Sequence, residues 1–118
     1  MPSKIKTELG TITIENEVIA KIAGLAAVES YGIVGMAAKN VKDGLVQLLK
    51  RESLTKGIKL NTDNDALIID LHIIVEYGTN ISAIVDSLVE SVKYRVEEYV
   101  GLTVAEVNIF VEGVRVDS

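Results

Sequence analysis

The stretch Ala66-Leu-Ile-Ile-Asp-Leu-His-Ile-Ile-Val-Glu-Tyr-Gly78 decides the fold of this chain. Its apolar residues recur at every second position, which is the spacing that places side chains on one face of a β-strand. The residues predicted for this core face are Leu67, Ile69, Leu71, Ile73, Val75 and Tyr77. The opposite face is mixed and carries Ile68, Asp70, His72, Ile74 and Glu76. The stretch therefore predicts one long strand with a buried face and a face left to water or to a partner.

A long amphipathic helix is predicted directly after this strand, over residues 80–100. Most of its apolar side chains follow one another at intervals of three or four residues and so form a single stripe. That stripe consists of Ile81, Ile84, Val85, Leu88, Val92, Val96 and Tyr99. Gly101 comes next and can adopt the left-handed conformation that ends a helix.

The first half of the chain predicts a strand and two helices. Residues 9–14 alternate Ile with Thr and predict a short strand. A first helix is expected to have Asn16 as its N-cap and to stop near Gly32. Residues 31–36 predict a tight bend or a short strand. A second, shorter helix is expected to begin at Asn40, with a buried side formed by Val41, Leu45 and Leu48.

Two further strands complete the pattern. Residues 57–62 predict a strand that the turn 63–65 joins to the long strand as a hairpin. Residues 103–112 predict a last strand whose apolar face carries Ala105, Val107, Ile109 and Val111. The resulting order of strand, helix, bend, helix, strand, strand, helix, strand predicts an α+β fold. We expect a two-layer sandwich with the helices on one face of a mostly antiparallel sheet, and a single domain over residues 1–118.

Composition bounds the function. The 118 residues include no cysteine, which excludes disulfides and thiolate chemistry, and the net charge of −5 disfavours general binding to nucleic acid. Apolar runs are too short to cross a bilayer and no signal peptide is evident, so we expect a cytoplasmic protein without direct membrane insertion. The chain is 48% hydrophobic but only 4% aromatic, more aliphatic surface than a small domain buries easily. We therefore expect a homo-oligomer.

The sheet face that the helices leave uncovered is the candidate interaction surface. Alternation predicts that it carries Thr11, Thr13, Ile68, Asp70, His72, Ile74, Asn108 and Phe110. If Ile68, Ile74 and Phe110 lie on neighbouring strands, they could merge into one apolar patch. The residues that we expect to form the interaction surface are Ile68, His72, Ile74 and Phe110.

The sequence offers little for catalysis, for a metal or for a cofactor. His72 is the single histidine, and Asp70 would share its strand face, so an Asp-His pair is geometrically possible. No cysteine or serine elbow accompanies the pair, and the scattered carboxylates do not form a metal-ligand set. The glycines lack the Lys and Ser or Thr of a phosphate loop. We expect no catalytic residue, no metal and no cofactor.

Two groups of motifs carry a family resemblance. The first comprises Gly10-Thr-Ile-Thr-Ile14, Val18-Ile-Ala-Lys-Ile-Ala23 and Tyr31-Gly-Ile-Val-Gly-Met36. The second comprises Leu67-Ile-Ile-Asp-Leu-His-Ile-Ile-Val-Glu-Tyr-Gly78 and Gly101-Leu-Thr-Val-Ala-Glu-Val-Asn-Ile-Phe-Val-Glu-Gly113. Together they resemble the two halves of the alkaline shock protein family of Gram-positive bacteria, over nearly the whole chain. Since the long charged tails of larger members are missing, the chain is most similar to the small, YloU-like branch.

The resemblance implies a non-enzymatic cytoplasmic protein that self-associates and is linked to cell-envelope stress or homeostasis. Some members of the family gather beneath the membrane through a membrane-anchored partner protein, and the resemblance implies such a partner for this chain. The family has no defined catalytic residues, so none is transferred to this chain.

Two alternatives come from other functional classes. Small α+β sheets with helices on one face often bind RNA on the other, which makes a small RNA-binding module the alternative reading. That reading needs exposed aromatic side chains and cations, and the predicted face offers Phe110 beside carboxylates. A small hydrolase or transferase that uses Asp70 and His72 is the third possibility.

Overall fold

The computed structural model describes residues 3–40, 45–49, 55–63 and 65–116. Within these residues the chain forms, in order, β1 Ser3–Thr7, β2 Gly10–Ile14, α1 Asn16–Val28, β3 Ile33–Asn40, β4 Leu45–Leu48, β5 Ile58–Asp63, β6 Ala66–Glu76, α2 Ile81–Val100 and β7 Val104–Arg115. The α+β class with a mostly antiparallel sheet is confirmed. The order of elements follows the prediction except that β1 was not predicted and that the region of the second helix differs.

The strand predicted from the quoted stretch, β6, is the centre of a five-stranded sheet. On one side it pairs with β7 along its whole length. On its other side β5 pairs with the first half of β6 and β3 with the second half, and β4 lies beyond β3. The pairing of β6 with β7 is parallel, whereas the other pairings of this sheet are antiparallel.

The parallel pairing follows from helix α2, because parallel strands need a crossover that returns the chain to the starting edge. Twenty residues of helix span about 30 Å, and eleven residues of strand span about 36 Å. Helix α2 is thus long enough to carry the chain back along β6. The sequence pattern predicts the strand β6 and the helix α2. Because the helix is about as long as the strand, β7 can start beside the first residues of β6 and run parallel to it.

Both helices pack on one face of β6, so the predicted core face is confirmed for Leu67, Ile69, Leu71, Ile73 and Val75. The helical side chains packed against them are Ile19, Ala23, Ala26 and Ala27 of α1 and Leu88, Val92, Val96 and Val100 of α2. Small alanines let α1 approach the sheet closely, and the longer side chains of α2 fill the space beside it.

Two tyrosines predicted on these apolar faces are exposed instead. Tyr77 lies beyond the end of β6, where the chain turns through Gly78 with φ of 91°. On α2 the buried residues follow a spacing of four, so Val100 and not Tyr99 occupies the last buried position.

Helix α2 begins and ends as predicted. The Asn80 side chain accepts a hydrogen bond of 3.1 Å from the backbone N–H of Ala83, and Gly101 adopts φ of 80° while its N–H donates to the Glu97 carbonyl. Helix α1 differs from the prediction. Its N-cap is Glu15, which makes no side-chain capping bond, and Asn16 is already the first helical residue.

An ion pair joins the two helices on their outer surface. Arg95 Nη2 lies 2.7 Å from Glu29 Oε2. The hydrogen bond and charge of Glu29 raise the pKa of the Arg95 guanidinium, which stays charged at any ordinary pH. Because both side chains are well exposed, the pair orients the helices more than it stabilises them.

The predicted second helix is wrong where it can be compared. Asn40 is the last residue of β3, and Leu45–Leu48 form β4, which pairs antiparallel with residues 37–40. The expected helical residues Val41 and Asp43 lie outside the described residues. A run of four such residues fits a helix or a strand equally by periodicity, and the free edge of β3 offers backbone partners that favour a strand.

The first and last strands also differ from their predicted bounds. Residues 10–14 pair with β1 as a separate two-stranded sheet, so Thr11 and Thr13 do not lie on the open face of the main sheet. Strand β7 continues to Arg115, and its register against β6 shifts at Ala105 and again at Glu112. Each shift inserts one extra residue. Ala105 and Val111 are exposed, while Val107 and Ile109 pack against the core.

The two asparagines at the helix starts give a matched test of capping. We expect Asn80→Ala to lower the free energy of unfolding by about 1 kcal/mol, because a donor of α2 loses its partner. Asn16→Ala should change it by less than about 0.5 kcal/mol, since Asn16 is not a cap. Urea denaturation followed by circular dichroism measures both. Equal losses for the two variants would contradict the assigned cap.

Gly57 lies where β3 and β5 meet along the same edge of β6. A Cβ at this position would lie 3.0 Å from the carbonyl oxygen of Ala37 and 3.2 Å from that of His72. We expect Gly57→Ala to reduce the free energy of unfolding by about 1–3 kcal/mol, because backbone must move to admit the methyl group. Gly113→Ala is the control, since its Cβ would make an ordinary contact of 3.7 Å with Ile74. A Gly57→Ala variant as stable as the control would contradict the close packing of the backbone around Gly57.

Candidate interaction surface

The sheet face opposite the helices is built from alternate residues of β6 and their neighbours on β7. On β6 these are Ile68, Asp70, His72, Ile74 and Glu76, all half-buried. Their partners in register on β7 are Glu106, Asn108, Phe110, Gly113 and Arg115. We call these ten residues the open face. The open face thus consists of one face of β6 and one face of β7. The parallel register of the two strands decides which β6 and β7 side chains lie opposite one another.

A stacked pair lies at the centre of the open face. The rings of His72 and Phe110 have centroids 4.7 Å apart and an interplanar angle of 13°. The Nδ1 atom of His72 lies 3.0 Å from Oε1 of Glu112. Glu112 is the extra residue at the second register shift, and it is the better buried partner of the two. The carboxylate therefore fixes the ring orientation of His72, and the stack in turn orients Phe110.

Asp70 does not pair with His72, although they share one strand face. Its Oδ1 atom accepts a hydrogen bond of 2.9 Å from the side-chain amide of Asn108, the residue opposite on β7. His72 is engaged by Glu112 instead. The Asp-His pair that the sequence allowed is therefore not formed, and Glu112 takes the place of Asp70 as the carboxylate partner of His72.

Beyond His72 the open face is apolar at Ile74 and Gly113, as far as the charged register partners Glu76 and Arg115 that end it. A cavity of about 280 Å³ lies there, lined by Val34, Leu48, Ile74, Gly113, Val114 and Arg115. Leu48 reaches this surface because Gly35, the residue opposite Ile74 on β3, has no side chain. A Cβ on Gly35 would lie 2.9 Å from Leu48 Cδ1. A leucine of β4 thereby extends the apolar surface beyond β6 and β7.

The predicted surface residues are only partly brought together. His72 and Phe110 touch, and Ile74 lies one step along the same strand face, so these three form a continuous group. Ile68 lies six residues from Ile74, about 20 Å along the strand, and the pair of Asp70 and Asn108 separates it from the group. The open face thus has a polar end and an apolar end.

Three residues of the apolar end were not predicted from the sequence. Leu48 was expected on a helix, Val34 in a bend, and Val114 beyond the last strand. A signal exists for Val114, because the alternation of apolar residues resumes after Gly113 with Val114 and Val116. Leu48 has no such signal, since its position depends on the pairing of β4 with β3.

Over the residues that the structure describes, no group of three or more His, Asp or Glu side chains is placed to hold a metal ion. Nor does that part of the chain contain a helix long and apolar enough to cross a membrane.

Comparison of the amino-acid sequence with known proteins places the chain in a family. The sequence profile of the alkaline shock protein 23 family, described by a cell envelope-related function, matches residues 4–116. The chain is 48% identical over 117 residues to the uncharacterised protein YloU of Bacillus subtilis, covering 98% of each chain. It is 35% identical over 117 residues to the uncharacterised protein Spy1614 of Streptococcus pyogenes serotype M6, covering 98% of this chain and 97% of the relative.

A longer relative carries a more specific name. A stress response regulator gls24 homolog of Streptococcus pyogenes serotype M3 is 32% identical over 109 residues, which are 90% of this chain and 59% of that protein. No solved structure is a significant match. The resemblance noted from the sequence motifs is confirmed over almost the entire chain, which belongs to the alkaline shock protein 23 family.

Proposed function

We propose that this chain is a non-enzymatic, cytoplasmic structural or interaction protein that self-associates in the service of cell-envelope homeostasis or stress. Ile68, His72, Ile74 and Phe110 are its proposed contact residues. The observation that carries this proposal is the apolar end of the open face, where Ile74 lies next to the stacked pair along β6 and lines a cavity to which no helical residue contributes.

The chemistry of this end suits a protein partner. Phe110 of β7 and Leu48 of β4 are 44% and 48% exposed, and both lie on the open side of the same sheet. Exposed apolar side chains that are scattered singly need no explanation, but those grouped around a cavity mark interaction sites. Phe110 is also held in one orientation by His72, so little conformational entropy is lost when a partner packs on it.

The polar side chains of the open face support a non-enzymatic role. His72 has a carboxylate partner in Glu112, as a general base would, but a catalytic centre needs such a base beside a nucleophile or an oxyanion donor. The ten residues of the open face include no Ser, Thr or Cys that could act as that nucleophile.

Electrostatics favour protein over RNA as the partner. Three carboxylates lie on the open face, those of Asp70, Glu76 and Glu106, and they outnumber the two cations on the same side of the sheet, Arg115 and Lys59, so the net charge repels a phosphate backbone. His72 also covers one side of the Phe110 ring, which leaves less aromatic surface for a base to stack on.

The family supplies the cellular setting of the proposal. Its description is a cell envelope-related function, and a longer relative is named a stress response regulator. We accordingly place the assembly near the membrane through a membrane-anchored partner protein, with no part of this chain inserted in the bilayer.

The double substitution Phe110→Ser with Ile74→Thr tests the contact surface. We expect it to weaken self-association by about 30-fold or more, because the exposed apolar end loses its two central side chains. Sedimentation velocity over a range of micromolar concentrations measures the change, and circular dichroism should show unchanged helix content.

The matched control removes similar apolar surface from the helical layer by Tyr94→Ser with Val18→Thr, both exposed residues. It should assemble as the unsubstituted chain does. A chain that is monomeric at high micromolar concentration would contradict the proposal, and a salt-dependent shift of an RNA pool would favour the RNA-binding alternative.

A further inference from the structure

Strand β7 is an edge strand. It pairs with β6 on one side, and no described strand lies on its other side. Leu67 and Tyr77 donate backbone hydrogen bonds to β7, while Glu76 donates to Gly32 on the opposite side of β6. Because backbone groups alternate in direction, odd-numbered residues of β6 face β7 throughout. The N–H and C=O groups that β7 directs outward then belong to Val107, Ile109 and Val111.

This outward edge is regular over a usable length. Between the register shifts at Ala105 and Glu112 lies an unbroken six-residue segment, Glu106 to Val111. Short edge strands, prolines and bulges are the usual protection against pairing with another chain. Here the two shifts limit the length of the free edge without removing it, and the segment between them can accept a strand of five or six residues.

The hairpin of β1 and β2 forms a two-stranded sheet of its own, which no other described strand extends. Ile14 at its base packs against the core, but Leu9 at its tip is fully exposed and Ile12 is 50% exposed. A hairpin of this kind is marginally stable in water unless further strands or a helix support it. β1 and β2 are five residues long, and the outer edge of each has no strand partner among the described residues.

The two faces of this hairpin differ sharply. Cross-strand partners share a face, so Ile5 and Ile12 lie on one side, together with Ile14. The other side carries the pairs of Lys4 with Thr13 and Lys6 with Thr11. The hairpin is thus apolar on one face and cationic on the other, in a chain whose net charge is −5.

The edge of β7 matches both faces of the hairpin. Towards the helices it presents Val107, Ile109 and Val111, the last 38% exposed and so incompletely covered. Towards the open face the same segment presents Glu106, Asn108 and Phe110. If β1 is added with Ile5 on the helix side, it would extend the core, and Lys4 and Lys6 would then lie on the side that carries Glu106.

We propose that β1 of one copy adds as a further strand to the β7 edge of a second copy, over the segment Glu106 to Val111. This proposal rests on the self-association proposed above and specifies its partner and its contact. Backbone hydrogen bonds supply the attraction, while the two matched faces select the orientation. Each copy has one such hairpin and one β7 edge, so the contact is head-to-tail and extends to a chain or closes to a ring.

Charge reversal on each side of the contact tests the proposal. We expect Lys4→Glu with Lys6→Glu to weaken self-association by about tenfold, and Glu106→Lys to weaken it by a similar factor, because opposite charges become like charges. The triple variant, with both sides reversed, should recover association to within about threefold of the original. Lys21→Glu with Lys93→Glu changes the net charge of exposed helical residues equally and should have no effect.

Mixing the two defective variants tests whether the contact joins the hairpin of one copy to the edge of another. The unsubstituted hairpin of the Glu106→Lys chain matches the unsubstituted edge of the Lys4→Glu/Lys6→Glu chain, and the reversed hairpin matches the reversed edge. An equimolar mixture should therefore recover assembly in sedimentation velocity, whereas each variant alone should remain dissociated. Hydrogen exchange should also slow at residues 106–111 when the unsubstituted chain assembles.

The outcomes separate this inference from the proposed function. If the unsubstituted chain is monomeric, self-association itself is refuted. If it assembles and the Lys4→Glu/Lys6→Glu variant assembles equally well, only the addition of β1 to β7 is overturned. Full assembly of that variant together with loss of assembly in Phe110→Ser/Ile74→Thr would assign the contact to the open face alone.

Discussion

Burial of one face of β6 is the constraint on which the rest of this structure depends. Five consecutive odd-numbered residues of that strand are removed from water by α1 and α2. Each such side chain contributes roughly 1.5–3 kcal/mol when fully buried, so this face contributes a large part of the stability of the fold. A shift of register by one residue would turn all five outward and expose them together. The position of every neighbouring strand follows from this fixed register.

That constraint also explains why the other side of the sheet is available. Two helices suffice to cover one face of a five-stranded sheet, and both lie on the same side of β6. The opposite face can therefore vary between polar and apolar along its length. Because α2 returns the chain for a parallel strand, β7 becomes the outermost strand on its side, and it carries both Phe110 and a free edge. The exposed position of Phe110 and the free edge of β7 thus both result from the crossover that α2 makes between β6 and β7.

Much of this architecture could be predicted from particular residues. The alternation from Leu67 to Val75 predicted β6, and the apolar stripe over residues 80–100 with Gly101 after it predicted the bounds of α2, because periodicity and the C-terminal cap are local features. The expectations failed where a segment was short and its partner was distant. Leu45–Leu48 fits a helical stripe, but pairing with β3 makes it a strand, and residues 10–14 joined β1 rather than the main sheet. The candidate surface followed the same rule: the contact between His72 and Phe110 needs the register of two strands, which periodicity alone does not supply.

The sequence by itself determined the α+β class, the buried face of β6, the bounds of α2 and the family, because these depend on periodicity, capping and motif order along one stretch of chain. Only the tertiary structure decided that Glu112 rather than Asp70 holds His72, that Leu48 joins the apolar end of the open face, and that β7 has a free edge. These features join residues that are far apart in the chain. Their contacts depend on strand order, pairing direction and register shifts, and those are fixed only when the whole sheet packs against its helices.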